Sequence, residues 1–143
     1  WVRYLNAMGH HISLHSNGSR LPDYYREVIH YGDLNLSVHF EFYDREKFIK
    51  VVEAVTDEKV KNNNYKVGHL EVKFMMAPHN RDEALLLETE LKNIPNFTEF
   101  CTWAIVPLRG TLENKTSDGA NGSGSEVMDG YTPDDYILFG SRN

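Results

Sequence analysis

Apolar and polar positions alternate without a break from Leu34 to Tyr43, LNLSVHFEFY, and side chains on a strand point to opposite faces in turn. Leu34, Leu36, Val38, Phe40 and Phe42 therefore share a core face, while Ser37, His39, Glu41 and Tyr43 share a polar one. Val67 to Ala77 has the same pattern, with Leu70, Val72, Phe74 and Met76 facing in and His69, Glu71 and Lys73 facing out. A shorter run, His10 to Ser16, turns Ile12 and Leu14 inward and His11, Ser13 and His15 outward, and Asn17-Gly18 supplies the turn that stops it. Three strands thus carry histidines on their polar side.

Between them the spacing becomes helical. Leu21, Tyr24, Tyr25, Val28 and Ile29 predict a short helix, with Pro22 in its first turn and Gly32 beyond its end. Asp44 is a good N-cap for a helix with Phe48, Val51, Val52 and Val55 on one stripe, fading into the polar run 57–64. Asn80 and Glu83 have the form of a capping box ahead of Ala84, Leu87, Leu91 and Ile94, and Pro95 ends that second long helix. Thr98 to Leu108 predicts a fourth strand with its exit at Pro107. At the start of the chain, Val2 and Tyr4 read as the beginning of an edge strand that Gly9 ends.

Strands alternating with helices predict an α+β fold over residues 1–110, with a mixed or antiparallel sheet of ferredoxin-like kind and two long helices on one face. The opposite, histidine-bearing face is expected to be open. Residues 111–130 are rich in Gly, Ser, Asn and Asp and predict a flexible loop, since such a segment buries too little apolar surface to offset its ordering entropy. Tyr131, Tyr136, Ile137, Leu138 and Phe139 then return enough apolar surface for residues 131–143 to dock on the domain as an added strand.

Composition narrows the partners. The formal net charge of −6 and the absence of a basic stripe argue against duplex nucleic acid, although a local pocket of Arg, Lys and His can still hold a small phosphorylated ligand. No apolar run approaches the length of a membrane span. Cys101 is the only cysteine, so no internal disulfide forms, which leans towards the cytosol. Five Asn-x-Ser/Thr sequons, at Asn17, Asn35, Asn96, Asn114 and Asn121, point the other way, towards secretion.

Candidate chemistry lies on the polar face. A histidine and a hydroxyl two residues apart on a strand project side by side, so His11 can move a proton while Ser13 holds a phosphate oxygen. HHISLHS resembles the His-x-Ser/Thr motif of the 2H phosphoesterases, GHLEVKF is similar to the second such motif, and YGDLNLSVHF resembles the strand between them. The resemblance covers roughly residues 9–91 and implies a 2H-like sheet. It also implies His11 and His69 as acid and base on neighbouring strands, acting without a cofactor on a cyclic phosphate or phosphodiester of a nucleotide or RNA end. Ser13 would then bind phosphate, with His39, Lys73 and Tyr43 assisting. Glu71 stands where that family has Ser or Thr, and a carboxylate there repels phosphate.

Two other readings use the same face. His11, His39, His69 and Glu71 are donors that suit zinc or iron, provided that the three strands are adjacent and in register. Alternatively, the open sheet face or a sheet edge binds a protein or a second copy of the chain without catalysis.

Overall fold

The computed structural model describes residues 1–109 and 129–142. Of the loop expected over 111–130, residues 111–128 lie outside the described residues. The elements are α1 (Val2–Ala7), β1 (Ser13–Ser16), α2 (Pro22–Val28), β2 (Asp33–His39), α3 (Arg45–Lys61), β3 (Leu70–Met76), α4 (Arg81–Lys92), α5 (Phe97–Phe100), β4 (Cys101–Pro107), α6 (Pro133–Leu138) and β5 (Gly140–Arg142).

The fold is α+β with a five-stranded mixed sheet in the order β1-β2-β3-β4-β5. β1 to β4 run parallel, and β5 adds antiparallel to β4. This chain-order, mainly parallel arrangement is not the antiparallel interleaving of a ferredoxin-like sheet. Each link from β1 to β4 contains a helix, and such a crossover returns the chain parallel to its starting strand. Three right-handed crossovers that all step the same way place their helices on one face.

Burial follows that geometry. Leu34, Leu36 and Val38, then Leu70, Val72, Phe74 and Met76, then Cys101, Trp103 and Ile105, are buried together with Phe48, Val52, Leu87 and Leu91 from α3 and α4. The core faces therefore match the alternation read from the sequence. Asp44 caps α3 by accepting a hydrogen bond from the Lys47 N–H at 3.1 Å, as its position suggested. Asn80 occupies the N-cap of α4 but makes no side-chain cap bond. Under the sheet, the indole N–H of Trp103 donates to buried Glu88 at 2.8 Å, which satisfies a polar pair that the core could not otherwise hold.

Four segments differ from the sequence pattern. Within residues 131–143, Pro133–Leu138 form a helix and only Gly140–Arg142 add as a strand. Residues 2–7 form a helix rather than an edge strand, held by turn bonds such as Leu5 N–H to Trp1 O. β2 stops at His39, where the Phe42 N–H bonds back to the His39 carbonyl and begins a turn, so the alternation of residues 40–43 is not strand. Residues 97–100 are a helical turn entered through Asn96 in the left-handed region, and β4 begins only at Cys101.

Glycine fixes how closely the strands enter the sheet. Gly32 and Gly68 lie one residue before Asp33 and His69, which face each other on β2 and at the entry to β3. A Cβ on Gly68 would strike the Gly32 carbonyl, and a Cβ on Gly32 would strike that of Ile12. Backbone approach at this end thus depends on both residues lacking side chains.

Candidate functional site on the open sheet face

The face opposite α3 and α4 carries polar side chains in register across four strands. Ser13 aligns with Asp33; His15 aligns with Asn35, Asn35 with Glu71, and Glu71 with Thr102. Ser37 aligns with Lys73 in the next row. Strand spacing then places Ser13 and Glu71 about 10 Å apart laterally, too far for a direct bond but within reach of one ligand.

These side chains pair with one another, sideways between neighbouring segments and, for Glu71 and Lys73, along β3. At the entry to the strands, His11 Nε2 lies 3.1 Å from Asp33 Oδ2, and the other Asp33 oxygen accepts the backbone N–H of His69 at 2.8 Å. His69 Nε2 is 2.7 Å from Thr102 Oγ1. Asn35 donates to Ser13 Oγ at 2.9 Å, and Lys73 Nζ is 3.7 Å from Glu71 Oε2. The result is a polar lattice running from β1 to β4.

The sequence-derived site residues divide in two groups. His11, Ser13, His69, Glu71 and Lys73 share this lattice, but His11 and His69 sit just before β1 and β3 rather than within them, and β2 lies between those two strands, so they are not neighbours. His39 sits at the far end of β2 beside Met75, six residues and roughly 20 Å along the strand from Asp33. Tyr43 leaves the face altogether: its ring packs edge-on against Phe40 and Phe48 at centroid distances of 5.2 and 6.4 Å. It does so because β2 ends before it. The four donors considered for zinc or iron are therefore not brought together, and among the described residues no group of three or more His, Cys, Asp or Glu side chains is placed to hold a metal.

Asp33, Asn35 and Thr102 were missed. Asp33 and Asn35 have the parity of Ser37 and His39, so the alternation already placed them on the polar face; Thr102 required the register of β4 against β3.

Beneath the lattice the chemistry is structural. Lys59 of α3 is buried and donates to the Gly68 carbonyl at 2.6 Å, and burial lowers its pKa despite the favourable fields of Cys101 and Asp33. Burial pushes the Cys101 thiol up to about 11, a weak nucleophile that sits 3.7 Å from the Thr56 hydroxyl.

Comparison of the chain with protein-family models, with curated proteins and with solved structures finds no match. Among the described residues no helix is long and apolar enough to cross a membrane.

Proposed function

We propose that the chain is a binding module that presents its open sheet face to a protein partner. The observation that carries this reading is the lattice itself: Ser13–Asn35, His11–Asp33 and His69–Thr102 link neighbouring segments sideways, and Glu71–Lys73 pair along β3, on a face that no helix among the described residues covers. Polar groups fixed in this way form a pre-ordered pattern of donors and acceptors, which reduces the ordering cost of association. From β1 to β4, three strand spacings by seven residues span about 14 by 23 Å, well under half the area that one side of a standard protein interface buries. A partner would therefore also contact the loops at the rim. The net charge of −6 favours a protein over a nucleic acid as that partner.

A second reading, acid–base chemistry on a cyclic phosphate or phosphodiester by His11 and His69, is favoured by the His11–Asp33 pair, because a carboxylate can orient an imidazole for proton transfer. Against it stand Asp33 and Glu71, two carboxylates where a phosphate would sit.

Photo-cross-linking separates the readings. A cross-linking amino acid at Ser37 should capture a discrete protein in cells of the source organism, and one at Glu53 on the helix side should not. Incubation with 2′,3′-cyclic nucleotides tests the alternative, with turnover lost in His11→Ala as its required result.

A further inference from the structure

At the opposite end of the sheet, the turn after β1 and the turn after β2 enclose a cleft of about 460 Å³ at the carboxyl ends of these parallel strands. Open sheets with helical crossovers often place ligands there, and the volume is that of a small-molecule site. The inner wall is apolar, formed by Phe48 and Val51 of α3, with buried Gly18 held so close that a Cβ there would stand 2.9 Å from the Phe48 ring. Phe42 and Leu21 also line the cleft, yet they are 88% and 80% exposed, an unusual state for two large apolar side chains lining one cleft.

The charged groups are biased. Arg20, Lys47 and Lys50 line the cleft, and Asp44 is its one carboxylate, held in the cap of α3 and 4.0 Å from Lys47 Nζ. Arg20 lies over the Tyr24 ring at 5.0 Å. In a chain of net charge −6, three cations against one carboxylate bias this lining towards positive charge, although Lys50 also lines the adjoining groove with Asp23, Glu53 and Asp57. Tyr43 also lines this cleft, with its ring packed edge-on against Phe48 and its hydroxyl buried.

We propose that this cleft binds a small anion, a phosphate or carboxylate, carried on an aromatic or alkyl body. Arg20, Lys47 and Lys50 would take the anionic head, and Phe42, Leu21 and Phe48 would cover the apolar body. This site is separate from the open face and does not depend on the reading given for it.

Titration of the full chain with phenyl phosphate and with phenylacetate, followed by amide chemical shifts, tests the proposal. Saturable shifts at Gly18, Ser19 and Lys47 are expected with at least one of the two probes, while phenol and inorganic phosphate bind more weakly. Lys47→Glu with Lys50→Glu should weaken the binding probe about tenfold by reversing the local charge. Phe42→Ala should weaken it about fivefold through lost apolar cover and leave inorganic phosphate unaffected. All three side chains are exposed, so the variants are expected to fold, and the spectrum of each reports this directly. No saturable shift with either probe, affinity unchanged by the charge reversal, or phenol binding as well as phenyl phosphate would overturn the proposal.

Discussion

The carboxylate of Asp33 joins His11 to His69, accepting from the His69 backbone N–H at 2.8 Å while its second oxygen lies 3.1 Å from the His11 ring. Two segments that enter the sheet on either side of β2 are thereby fixed by one side chain at the strand's first residue.

Asp33→Ala should cost about 0.5 to 1.5 kcal/mol in urea unfolding, because the solvent-exposed His69 N–H exchanges its carboxylate acceptor for water. Asp33→Asn keeps a carbonyl oxygen for that N–H and should recover most of the loss. Equal losses in the two variants would mean that charge, rather than the backbone bond, is what Asp33 provides.

Gly68→Ala is expected to disturb the same corner from beneath, since the new methyl meets the Gly32 carbonyl rather than a movable side chain. Overpacking of this kind costs about 1 to 3 kcal/mol. The thermal midpoint should fall, and the His69 amide signal should shift as its distance to Asp33 changes. A stable variant with an unshifted signal would show that the two strand entries tolerate a wider approach.

Phe74 is fully buried against Phe40 at a centroid distance of 6.4 Å, at the centre of the core between β3 and the helices. Phe74→Ala should destabilise the domain by about 3 to 5 kcal/mol through lost transfer energy and a residual cavity. A loss under about 1 kcal/mol would contradict the assignment of core and open faces.

The core was legible in the sequence because strict alternation in β2 and β3 permits only one assignment of faces, and Leu34 to Val38 and Leu70 to Met76 followed it. Alternation could not say where a strand ends. Phe40 to Tyr43 keeps the pattern, yet the chain turns after His39, and Tyr43 was consequently placed on the wrong face. Nor does periodicity carry strand order. That β2 separates the strands of His11 and His69, and that Thr102 meets His69, follows from crossover geometry and register, which depend on contacts distant in sequence. The cleft below Phe42 was invisible for a similar reason: it joins two turns whose residues look like ordinary surface.

Alkaline stability should depend on Cys101. Burial raises this thiol from its ordinary 9.0 to about 11, so the folded state holds a proton that the unfolded chain releases first. Stability from this group is fully present below pH 9 and is lost as pH rises through about 11, by roughly 2 to 3 kcal/mol. Tyr43, raised to about 12 by partial burial, adds a loss of the same sign at still higher pH. Cys101→Ala should flatten the dependence between pH 9 and 11 in denaturant titrations, and an unchanged slope would show that the thiol does not titrate with unfolding.

The open face as a protein-binding surface is tested most directly by site-specific cross-linking from Ser37, which aligns with Lys73 near the middle of the lattice. The account predicts one discrete cross-linked protein, lost when His15→Glu is introduced on the same face and absent when the cross-linker is moved to Glu53. Identical products from both positions, no product from Ser37, or a product indifferent to His15→Glu would contradict it.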